Sequence, residues 1–139
     1  MEDCRKELAS FLDEWPATSP GCRTAFVELM ACMLALPGTT VEFHVRPGVT
    51  YSLRAAHPEQ ARPLYAMVDV IDDEPRWLSV CFYREMVTDP DEWGEMVPGG
   101  LLGEDGLCFA VEEVTGKVVT YLKERIRQAH GSVIEDHRK

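Results

Sequence analysis

The hydrophobic period of the chain changes at residue 41, and that change constrains the fold more than any other feature. Upstream, "TSPGCRTAFVELMACMLALPG" carries a single charge, Glu28, between Ala25 and Leu36 and closes at Pro37-Gly38. A segment apolar almost all round predicts a buried central helix. Ser19 is its expected N-cap, with Pro20 at the first helical position, where a missing N–H costs nothing. Downstream, "VEFHVR" sets Val41, Phe43 and Val45 against Glu42, His44 and Arg46. "VTYSLRA" likewise sets Val49, Tyr51 and Leu53 against Thr50, Ser52 and Arg54. Strict alternation marks half-buried strands. A helix that must be covered, followed by strands with one wet face, points to helices on one side of an antiparallel sheet.

The other segments fill in this layer. Residues Glu2 to Trp15 space Leu8, Phe11, Leu12 and Trp15 at helical intervals and stop at Pro16. Matching the apolar faces of the first two strands places Val45 opposite Val49 across the loop Arg46-Pro47-Gly48. "RPLYAMVDVI" and "RWLSVCFY" are apolar on both faces, as central strands are, and the acidic turn Asp72-Asp73-Glu74-Pro75 joins them. "TDPDEWGEMVP" reads as one or two helical turns, with Asp89 as cap, Pro90 first and Glu92 three residues on. "VPGGLLGEDGLCF" reads as a flexible glycine approach to a short edge strand, Leu107 to Val111. A last helix is expected from Thr115 to His130, stopped by Gly131, with a frayed tail over 132–139. The expectation is one α+β domain over residues 1–139. Its mostly antiparallel sheet has about five strands with helices packed on one face, in the order ααββββαβα.

Charge narrows the function classes. The net charge is −10, and residues 69–105 alone hold 11 acidic residues against 2 basic ones. Such a field repels nucleic-acid phosphates and anionic membranes, and it attracts cations or a basic protein partner. No apolar run reaches the roughly 18 residues of a membrane helix, and the acidic N-terminus lacks a signal-peptide core. The five cysteines include no C-x-x-C pair. Cys81 reads as a buried, inert thiol in mid-strand and Cys108 as a more exposed one, a pattern that suits a reducing, cytoplasmic setting.

Familiar catalytic signatures are absent. The only Gly-Lys pair, Gly116-Lys117, has Val111 and Val118 where a phosphate loop needs glycine and a hydroxyl. No G-x-S-x-G occurs, and the four histidines show no H-x-x-x-H spacing. A non-enzymatic binding protein is expected. Two constellations remain as candidate sites. Asp72, Asp73 and Glu74, with Asp89, Asp91 and Glu92, supply carboxylate oxygens suited to a hard cation, though they do not match an EF-hand loop. His44, Arg46 and Arg54 converge on one face if the first two strands pair. There the arginines would anchor an anionic or carboxylate-bearing small ligand.

From Phe26 to Ala129 the outline is familiar. An apolar helix ends in "LPG"; then come "RPGVTYSLR", the hairpin "LYAMVDV…WLSVCFY", "GLCFAV" and the closing helix "VVTYLKERI". This outline resembles the small bacterial YdhG-like domains and, more distantly through "LPGT", the YjbR-like domains. The YdhG-like resemblance implies frataxin-like handling of ferrous iron, bound weakly at surface carboxylates. The YjbR-like one implies DNA binding, which the net charge opposes. The sequence thus leaves three readings open: iron handling by the six acidic residues, an acidic adaptor for a basic partner, and small-molecule binding at His44, Arg46 and Arg54. A homodimer is compatible with all three.

Overall fold

The computed structural model describes residues 2–15 and 20–138. Helices α1 (Glu2–Asp13) and α2 (Pro20–Ala35) precede strands β1 (Thr40–Arg46), β2 (Thr50–Ala56), β3 (Ala66–Ile71) and β4 (Trp77–Tyr83). A 3₁₀ turn at Arg84–Met86 leads to β5 (Glu95–Leu101), β6 (Glu104–Val111) and the long helix α3 (Gly116–Arg138). The strands form one antiparallel sheet in the order β1-β2-β3-β4-β6-β5. The α+β class is as expected, but there are six strands. The expected cap Ser19 and stop Pro16 lie outside the described residues.

Alternation puts every second strand residue under the helices. Leu53, Val68, Val70, Leu78, Val80, Phe82 and Phe109 meet Phe26, Leu29, Met33, Leu122 and Ile126 in one apolar core. Phe11 of α1 stacks near Phe43 and Tyr51, with ring centroids 5.2 and 4.7 Å away, so α1 covers the β1–β2 end. The opposite parity leaves Glu42, His44, Arg46, Thr50, Ser52, Arg54, Met67, Asp69, Ser79 and Cys81 on the face without helices. That face holds the candidate site.

Four sequence expectations need correcting, each for a local reason. Val45 pairs with Tyr51, not Val49. Pro47 and Gly48, the latter at φ 78°, form the centre of a type II turn closed by the Val49 N–H to Arg46 C=O bond of 2.9 Å. The two-residue shift leaves the faces unchanged. The 89–98 segment is not helical: the Asp89 carboxylate takes the Trp93 and Gly94 N–H groups (3.1 and 2.8 Å), and Glu92 is left-handed at φ 53°. Those bonds hold an open turn that feeds β5.

The glycine stretch is itself mostly the edge strand. Gly99 and Gly100 lie inside β5 at an irregularity between Val97 and Leu101. Leu102 and Gly103, at φ 50° and 89°, make the two-residue turn into β6. Finally, α3 runs through the expected stop at Gly131 to Arg138. Val133, only 3 % exposed, holds the helix onto the core past that glycine, where backbone propensity alone would stop it.

Candidate ligand pocket on the open sheet face

Strands β1, β2 and β3 and the β5–β6 hairpin tip enclose a pocket of about 240 Å³. Its walls include His44, Arg46, Ser52, Arg54, Asp69 and Leu101. The β5–β6 irregularity bends Gly100 to Leu102 over the sheet, and Leu101 is 1 % exposed beneath that bend. A Cβ on Gly106 would meet the Leu101 side chain at 3.1 Å, so the close approach of the hairpin tip depends on that glycine. The pocket is thus built by an element that the sequence suggested was only slack.

His44, Arg46 and Arg54 do converge, as the alternation predicts. Arg54 donates from Nε to Ser52 Oγ at 3.2 Å, and His44 Nε2 lies 2.9 Å from Glu42 Oε1. Among the described residues neither Arg46 nor Arg54 has a carboxylate within 4.0 Å. Asp69, the first of the acidic residues in the 69–105 stretch, also sits in the pocket. Burial pushes its carboxyl above the usual range, and Ser52 and Arg54 oppose that shift without cancelling it. Its Oδ1 is buried and has no hydrogen-bond partner among the described residues. A lone charge inside the apolar run "AMVDVI", at the parity of Met67 and Ile71, was the available signal.

The structure does not bring the six acidic residues together. Asp72 accepts from Arg76 Nε at 2.9 Å and from the Tyr51 hydroxyl at 3.3 Å, and Asp73 accepts from Trp77 Nε1 at 2.8 Å. Asp89 accepts the Tyr121 hydroxyl besides its two backbone bonds. Glu74, Asp91 and Glu92 are exposed. The first three cluster by β2 and β3 and the second three beside β5, roughly 15–20 Å across the sheet at about 4.8 Å per strand. Among the described residues no group of three His, Cys, Asp or Glu side chains is placed to hold a metal ion.

Two further features were not legible in the sequence. Cys81 and Cys108 form a disulfide across β4 and β6, with Cα atoms 4.1 Å apart, so neither is the free thiol expected. His57 and His130 are buried side by side, their ring centroids 5.6 Å apart. His130 Nε2 lies 2.8 Å from the Pro37 carbonyl, and His57 Nδ1 accepts the Glu59 N–H at 3.2 Å. Both histidines are therefore held by backbone groups. A larger hollow of about 470 Å³ is lined by Gln60, Arg62, Glu85 and Met86. Its one cation among the described residues, Arg62, is already bonded to Glu85 and Glu104, which leaves it little pull on an anion.

No known protein family matches the chain, and no characterised protein or solved structure does. The YdhG-like outline therefore rests on the sequence alone. No helix among the described residues is long and apolar enough to cross a membrane.

Proposed function

We propose that the protein binds a small anionic metabolite, carrying a carboxylate or phosphate, in the open-face pocket. One observation carries the reading: Arg46 and Arg54 line a hollow that contains no carboxylate bonded to either of them. What sets these two arginines apart is that both face one hollow, with no carboxylate within 4.0 Å among the described residues, so both can turn to the same anion. The unbonded Asp69 Oδ1 adds to it. Burial raises the Asp69 carboxyl, which in the protonated form donates a hydrogen bond to a ligand oxygen and in the ionised form repels it. The volume lies below the usual range of about 300–1,000 Å³ for drug-sized ligands, so the ligand is small.

Calorimetric titration with short carboxylates and phosphate esters, and with a neutral amide as control, tests this. Binding of an anion class should weaken at least about tenfold in Arg54→Glu, since a charge-assisted bond there contributes about 1.5–3 kcal/mol. Absence of anion binding, or binding indifferent to both Arg46→Glu and Arg54→Glu, rejects the pocket as an anion site.

A second reading, an acidic adaptor, rests on a different surface. Trp93, Met96, Val97 and Leu102 are all more than a third exposed, and Asp91, Glu92, Glu95, Glu104 and Asp105 flank them in sequence. An apolar patch with an acidic rim suits a basic partner. Such binding weakens steeply with salt, unlike the apolar part of the contact.

A further inference from the structure

The two edges of the sheet are built differently. Edge strand β5 carries Pro98, two glycines, a positive φ at Gly99 and a register irregularity, all features that blunt an edge. Edge strand β1, "TVEFHVR", has seven residues with no proline, glycine or bulge. An unbroken edge of that kind is a template for another strand.

The directions of the β1 backbone groups follow from bonds on its neighbour. Val49 C=O accepts the Asp72 N–H at 3.0 Å and Ala55 C=O accepts the Tyr65 N–H at 2.8 Å, so the odd-numbered residues of β2 face β3. The even-numbered ones, Thr50, Ser52 and Arg54, therefore bond to Arg46, His44 and Glu42. That leaves the N–H and C=O of Phe43 and Val45 directed away from the sheet. On the helix side of the same edge, Phe43, Val45 and Tyr51 line a hollow of about 350 Å³ with Phe11, and Val45 is 38 % exposed.

We propose that β1 pairs with β1 of a second copy, antiparallel about a two-fold axis at His44, making one continuous sheet. In this register Phe43 of each copy faces Val45 of the other, and the two pairs exchange four backbone hydrogen bonds. Glu42 then stands directly opposite Arg46 of the other copy, twice. These are non-hydrogen-bonded pairs, where side chains come closest. Glu42 keeps one oxygen on His44 and offers the other. Shifting the axis to Phe43 would set Arg46 opposite the uncharged Thr40, so charge selects the first register. The partner's β1 also extends the wall of the open-face pocket. Arg46 cannot serve both Glu42 of the second copy and an anion, so a ligand bound at Arg46 favours the monomer. The pairing itself rests on β1 alone and stands whether or not the pocket binds a ligand.

Sedimentation equilibrium without added ligand tests it. The wild-type chain should dimerise, and Glu42→Arg and Arg46→Glu should each weaken the dimer about tenfold or more by opposing like charges at two positions. Mixing those two variants should restore association as a heterodimer, because each then presents the charge the other lacks. The mixture also controls for folding, since a misfolded variant cannot be rescued by its counterpart. A monomer at every concentration, a dimer unchanged by either substitution, or two folded variants that fail to associate when mixed would each overturn the pairing.

Discussion

Asp89 and Asp69 are two aspartates in the same acidic quarter of the chain, and the fold treats them in opposite ways. Asp89 is surrounded by donors: the Tyr121 hydroxyl and the Trp93 and Gly94 amides all point at its oxygens. Burial pushes its carboxyl up, yet these bonds together hold it below the usual range. Asp69 is half-buried with its Oδ1 shut away from any donor among the described residues, and its carboxyl is pushed up. Acidic residues that shape a turn have their lone pairs occupied by the fold. The one on the open face keeps an oxygen unbonded, beside two arginines with no carboxylate within 4.0 Å among the described residues. Net charge along the sequence cannot distinguish these cases; hydrogen-bond partners do.

The largest effect should come from removing the satisfied carboxylate. Asp89→Ala strands three donors, one of them on the buried Tyr121, and should cost about 1–2 kcal/mol of unfolding free energy in urea. The pH dependence has a definite sign. Because the folded carboxyl is depressed, its contribution is present above the unfolded value, 3.8, and is lost as pH falls through the lower folded one. The wild-type advantage over Asp89→Ala should therefore narrow on acidification. A constant gap across that range would mean that shape, not charge, made the difference.

Much of the fold was legible because alternation and apolar continuity are local signals. Val41 to Arg46 and Thr50 to Arg54 show their faces directly, and those faces brought His44, Arg46 and Arg54 together as expected. The parts that were not legible depend on side chains far along the chain. Asp89 reads as a helix cap until Tyr121, 32 residues on, is known to reach it. Leu102 in a left-handed turn gives no composition cue, so the glycine stretch looked like a loop rather than a hairpin. Cys81 and Cys108 are 27 residues apart and meet only because β6 lies beside β4. Gly131 is a stop signal that Val133 overrides by burial.

A smaller effect of opposite sign is expected at the other aspartate. Asp69→Asn removes an ill-satisfied buried charge and supplies an N–H₂ donor, and should stabilise the protein by about 0.5–1 kcal/mol at neutral pH. A raised folded carboxyl favours the folded state only below the unfolded value, 3.8, and that favour is lost as pH rises through the folded one. The variant's advantage should accordingly grow from acid to neutral pH, the reverse of the Asp89 series. The same substitution should strengthen anion binding at pH values where the wild-type carboxyl is ionised, and change it little where that carboxyl is protonated and donating. Stabilisation without any change in binding would detach Asp69 from the pocket's chemistry.

The smallest effect is expected at Asp73, and its smallness is informative. Its carboxylate takes the Trp77 indole N–H at 2.8 Å, but Asp73 sits exposed in the turn between β3 and β4 and Trp77, at the start of β4, is only half-buried. Water replaces such a bond readily, so Asp73→Asn should change stability by no more than about 0.5 kcal/mol. It also leaves the turn intact while removing one of the carboxylates that iron handling would need. Ferrous iron added under anaerobic conditions and followed by native mass spectrometry should therefore give the same result with wild type and variant. A specific adduct lost with Asp73→Asn would show that the acidic turn gathers around a cation. That outcome would reverse the contrast between the two aspartates, making the acidic quarter the functional surface and the open face the scaffold.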